Sequence, residues 1–231
     1  MVSSPAPRTP WLVRVIAVAA VVATAVLVPP YLTLDQDASR IDVAREPLWW
    51  LLVVHVLAAA TAMLLGVLQL VPRIRRRREV HRRIGRTFLV VGVAAFVGTG
   101  IPLALTTPHG AVTRYGVLIP ALLWPLLAVA GWRAIRRRDV EAHRAWMLRL
   151  FAVTFFAVSA RLIVPVLLLL QLPVMGAWYD GDVERAVEAS IPVGQWLGWI
   201  VNLAIAEAVI RRTRTPVSPR GGSRDVAFAP D

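Results

Sequence analysis

The chain has 231 residues, 57% of them hydrophobic and only 17% charged, with a mean hydropathy of +0.62 and a formal net charge of +12. Soluble domains carry about a quarter charged residues, so this composition argues against an ordinary soluble globule and still more against a disordered chain. Cysteine is absent, which removes disulfides, thiolate metal sites, iron–sulfur clusters and cysteine nucleophiles.

A transmembrane helix needs about 20 mostly apolar residues. Six runs meet or approach that length: Trp11–Tyr31, Leu48–Val71, Thr87–Leu105, Tyr115–Trp132, Trp146–Leu172 and Ile191–Ile210. The first is too long for a secretory signal core and ends in Val28-Pro29-Pro30-Tyr31 without a small-x-small cleavage site, so it reads as an uncleaved helix. Alternating strand patterns are missing. The expected fold is therefore an all-α polytopic bundle of six transmembrane helices over residues 11–210. A short terminus precedes it (1–10) and a basic, disordered tail follows it (211–231).

Charge orients the bundle. The segments before helix one, between two and three, between four and five, and after six hold nineteen arginines and five acids; the opposite segments hold four arginines and eight acids. Arginine-rich loops mark the cytoplasmic face, so both termini are expected in the cytoplasm, with anionic lipid as the partner of the basic loops. The positive charge then needs no nucleic acid to explain it. The expected location is a bacterial inner membrane; oligomeric state is not legible.

Two arginine-rich loops are alike. One runs from Arg73 through Glu79 to His81-Arg82 and on to Arg86; the other runs from Arg133 through Asp139 and Glu141 to His143-Arg144 and on to Arg149. Each is a basic run, an acid, then His-Arg at the mouth of a helix. This suggests a duplicated hairpin, helices two–three and four–five, in a four-helix core. His55 with Gly66-Val-Leu-Gln69, then HRRIGR at His81–Arg86, HRAWMLR at His143–Arg149, and Arg161 with Pro165 together resemble the domain-of-unknown-function 2306 family over roughly Trp49–Pro165. That resemblance implies a polytopic bacterial membrane protein and carries no assigned activity.

Ionisable groups inside the hydrocarbon are costly and face the bundle interior. At about 1.5 Å per residue, His55 lies roughly 10 Å below the outer end of helix two and Arg161 about 22 Å from the inner face, similar outer-leaflet depths that Gln195 shares. These three suit a carrier or binder of a small anionic or lipid-like ligand, with the arginine pairing carboxylate or phosphate. Arg149 and Glu207 sit at matched depth near the inner end and suit an ion pair. His55, Ala59, Ala62 and Gly66 share one helix face, suited to close packing or to a flat cofactor.

The alternative chemistry is redox. Haem b ligation needs two neutral histidines at one depth on different helices, and His81 with His143 meet that rule through the repeat. His55 is a further candidate ligand on the outer side, where exposed-loop His109 is its only available partner. A third reading is a structural partner in a membrane assembly. No nucleophile elbow, phosphate loop or zinc helix is present.

Overall fold

The computed structural model describes residues 10–34, 36 and 46–213; the tail beyond 213, residues 1–9 and most of the 35–45 loop lie outside the described residues. Among the described residues the chain is helical, without strands. In order the helices are α1 (Trp11–Leu27), α2 (Pro29–Leu32), α3 (Glu46–Leu70), α4 (Pro72–Arg76), α5 (Arg78–Gly92), α6 (Ile101–Thr106), α7 (Gly110–Arg136), α8 (Val140–Thr154), α9 (Phe156–Gln171), α10 (Met175–Tyr179) and α11 (Val183–Thr213). A π-helical stretch, Val93–Gly100, joins α5 to α6, and a short 3₁₀ turn, Leu172–Val174, joins α9 to α10.

Among the described residues, five helical segments are long and apolar enough to cross a membrane: Glu46–Leu70, Arg78–Thr106, Gly110–Arg136, Phe156–Tyr179 and Val183–Thr213. The first apolar run forms a shorter helix, because the chain bends at Val28 before Pro29 and Pro30 start α2. Neither proline offers an N–H to the preceding turn, so the helical hydrogen bonding is interrupted there although Val28 itself keeps a helical backbone. Helices α5, α7, α8 and α11 extend past their apolar runs into charged flanks, so that α5 begins at Arg78 and places His81 inside its first turn.

The fifth run departs from expectation. It is not one helix; it breaks at Phe155, between α8 and α9. The break is held from α11. Asn202 Nδ2 donates to the Ala152 carbonyl at 3.0 Å, the carbonyl that Phe156 N–H would take in a continuous helix, and Asn202 Oδ1 accepts from Ser159 Oγ at 2.8 Å. Thr154 Oγ1 also bonds back to Leu150 O at 2.9 Å, a contact that bends helices. A depth counted straight from Trp146 to Arg161 does not hold across this bend.

Helices α3, α5 with its π-helical continuation, α7 and α8 close a ring: α3 packs on α5, the π stretch on α7, α7 on α8 and α8 back on α3. Outside the ring, α11 packs on α9, α8 and α7, and α1 lies on α3. The ring's centre is filled by Trp124 of α7, fully buried, stacked on Phe96 at 5.2 Å and edge-on to Phe88 at 5.9 Å. Its indole N–H donates to Thr154 Oγ1 at 3.0 Å, which removes the cost of burying an unpaired donor.

Candidate functional site

The two arginine-flanked histidines occupy the same position in their helices. His81 N–H donates to Arg77 O and His143 N–H to Asp139 O, and Arg77 and Asp139 are the residues that precede α5 and α8. Asp139 also caps α8 through Oδ1, which accepts from Ala142 N at 2.9 Å. The register that places His81 on His143 also places buried Phe88 on buried Leu150, buried Gly92 on buried Thr154, and fully buried Ala62 on fully buried Trp124. α5 and α8 lie diagonally across the ring rather than side by side, and His81 and His143 come within electrostatic reach of each other at its arginine-rich end, with Arg75 nearby.

The ring nitrogens differ. His143 Nδ1 lies 2.9 Å from the Gly131 carbonyl. A carbonyl only accepts, so Nδ1 carries the proton and the neutral ring keeps its lone pair on Nε2. His81 Nδ1 is buried and has no hydrogen-bond partner among the described residues. Around this layer the backbone is bare at Gly85 and Gly131. A methyl at Gly85 would lie 3.4 Å from Gln69 Oε1, and one at Gly131 would lie 3.0 Å from Met147 Sδ. The nearest side chain beside each glycine is thus unbranched and adaptable, Gln69 at Gly85 and Met147 at Gly131, with Trp146 Cβ at 3.5 Å from the latter. Gln69 Nε2 donates to the His81 carbonyl at 3.2 Å, tying α3 to α5.

The outer candidates are placed apart from this layer. His55 of α3 docks into the π stretch, with Nδ1 at 3.0 Å from both Ala95 O and Thr99 Oγ1. The wider π turn leaves Thr99 Oγ1 within reach of both Ala94 O and Ala95 O, and such turns recur at functional sites. Gln195 of α11 backs onto Gly116 of α7, and its Oε1 is buried without a hydrogen-bond partner among the described residues. Arg161 stands on the exposed side of α9 and donates to Ala157 O at 3.0 Å. His109 immediately precedes α7 and is exposed.

The small-residue face of α3 is closed by packing. Ala62 is fully buried in the central cluster, and a side chain at Gly66 would meet Phe151 at 2.8 Å. The inner ion pair is formed as its depth suggested: Arg149 reaches Glu207 Oε2 through Nε at 3.1 Å and Nη2 at 2.6 Å, and its guanidinium lies 4.7 Å over the Trp146 ring. Sequence reading missed the α9–α11 seam, although its signal was present. Gly194 and Gly198 form a G-x-x-x-G, and a methyl on Gly198 would lie 3.0 Å from Phe156 O and Ala160 N.

The family described as a predicted membrane protein (DUF2306) matches residues 52–210. The chain belongs to this family. The matched span takes in the four-helix ring, both histidine loops and nearly all of α11, so the DUF2306 region contains every candidate residue named above. No curated protein and no solved structure matches the chain.

Proposed function

We propose that this DUF2306 protein is a transmembrane electron-transfer protein that holds one b-type haem between His81 and His143 at the arginine-rich end of the four-helix ring. One observation carries the reading: two histidines at equivalent positions on diagonal helices lie within electrostatic reach of each other. One has its Nδ1 on a backbone carbonyl, and the other has a buried Nδ1 with no partner among the described residues. Histidines that ligate iron commonly give their second nitrogen to such a carbonyl, which fixes the tautomer and the ring's orientation.

The residues present fit the group in kind. His143 would offer Nε2, His81 would turn its unpartnered ring toward the same centre, and Gln69 and Met147 would yield space beside Gly85 and Gly131. Haem held in this way supplies reversible one-electron transfer. The chain's own contributions are simpler: Gly131 O orients His143, the Phe88–Trp124–Phe96 layer keeps water out from below, and the surrounding arginines offer counter-charges to propionates. The arginine-rich end faces the cytoplasm of a bacterial inner membrane on this reading, as the arginine bias directs.

The test is haem content in the purified full-length chain. His81→Ala and His143→Ala should each lower the haem-to-protein ratio at least tenfold while the helical circular dichroism stays unchanged. His55→Ala should retain haem, because His55 is tied to Ala95 and Thr99 instead. Haem content unaffected by both inner substitutions would contradict the proposal.

A further inference from the structure

Helix α11 carries two polar atoms that folding buries and leaves unpaired: Gln195 Oε1 and Trp199 Nε1, neither with a hydrogen-bond partner among the described residues. The first accepts and the second donates. The two residues are one turn apart, so they share a face of the helix. They lie about 6 and 12 Å inside the apolar run that starts at Ile191. Their face looks onto α7. A methyl on Gly116 would lie 3.6 Å from Gln195 Cβ and 3.0 Å from Trp196 Nε1, and Trp196 Nε1 donates to Val112 O at 3.0 Å. Helix α7 supplies a third group. Pro120 is fully buried and has no N–H, so the Gly116 carbonyl loses the partner that a helix would give it. Both helices run toward the arginine-rich end, where α11 finishes beside the start of α8. A helical carbonyl points along its own chain, so Gly116 O is directed from the level of Gln195 toward that of Trp199.

We infer that the α7–α11 seam binds one ordered water at this point, which accepts from Trp199 Nε1 and donates to Gln195 Oε1 and Gly116 O. Two acceptors and one donor match the capacity of a single water. Buried polar groups are costly when unmet, and membrane helices tolerate proline where a neighbouring helix or an ordered water takes up the freed carbonyl. Beside Gly116 the packing is too close for a carbon-bearing ligand, since even a methyl there would press on Trp196. An ammonium would satisfy both acceptors but set its own N–H against the indole N–H. The water joins α11 to α7 at the proline, as Trp196 joins them directly through Val112.

The water site lies away from the histidine layer, so it stands independently of haem. It is tested by nuclear magnetic resonance of the full-length protein in detergent, with isotope-labelled tryptophan indoles. The Trp199 indole signal, assigned by its loss in Trp199→Phe, should show a rotating-frame Overhauser peak at the water frequency, opposite in sign to chemical exchange. Gln195→Met keeps the side chain's volume and removes the acceptor. It should weaken that peak and lower the melting temperature by about 2–4 °C, the worth of one hydrogen bond in a chain of this size. Were Gln195 Oε1 simply unpaired, the same substitution would remove an unmet buried acceptor and raise the melting temperature. The absence of a water peak at the Trp199 indole of the wild type overturns the inference. So does a melting temperature that Gln195→Met leaves unchanged or raises. The Overhauser peak is read on the wild-type fold, so it decides the matter even where the methionine variant misfolds.

Discussion

Trp124 sets the spacing of the ring because nothing beside it can yield. Its benzene edge lies where a side chain on Gly92 would be, 2.1 Å from a methyl placed there, and the opposite face is occupied by Phe96. Gly92→Ala therefore cannot be absorbed by a flexible neighbour, and the indole would also lose its bond to Thr154. The expected cost is about 3 kcal/mol, the upper range for overpacking a filled core, read as a lowered midpoint of denaturant unfolding in detergent. An unchanged midpoint would mean that the ring is looser than these contacts require. At this scale the sequence was informative where depth alone decides, as for Arg149 with Glu207, both about a turn inside the ends of their apolar runs. It was silent on Trp124 with Thr154 and His55 with Thr99. Those pairings depend on which helices face one another and on a π stretch, neither of which a hydropathy run encodes.

Helix boundaries were legible to within about two and a half turns where an apolar run ends in charge, the largest misses being the starts of α5 and α11, which run on into charged flanks. The break at Phe155 was not legible, because its cause is on another helix: Asn202 takes a carbonyl that continuous hydrogen bonding would use. Asn202 faces α9 along the seam that Gly194 and Gly198 make possible. Gly198 brings α11 to within contact of the α9 backbone, and dispersion across such a seam is what holds helices together in lipid. Gly198→Leu should push α9 away and lower the melting temperature by several degrees. Gly176→Leu, in open space, should leave it unchanged. Equal melting of the two variants in a thermal shift assay would remove the seam from the account.

Across the whole molecule the repeat is the organising feature. Two loops of matching pattern were visible in the sequence as His-Arg entries. In three dimensions they bring two histidines to one end of a closed ring and set equivalent buried positions above them. What the loops could not reveal was the diagonal placement of α5 and α8, which follows from how four helices close rather than from their order in the chain. The same charge pattern predicts orientation. An alkaline phosphatase fused after the last residue should be inactive and a fluorescent protein there should glow, since the arginine-rich end faces the cytoplasm on this account. The reverse result would invert the bundle and place the histidine layer on the other side. The central claim, haem between His81 and His143, is tested most directly by the visible absorption spectrum of the full-length protein purified from haem-sufficient cells. The account predicts a Soret band and, on reduction, the narrow α band of a low-spin iron with two imidazoles, both lost in His143→Ala. A protein with no visible absorption would contradict it.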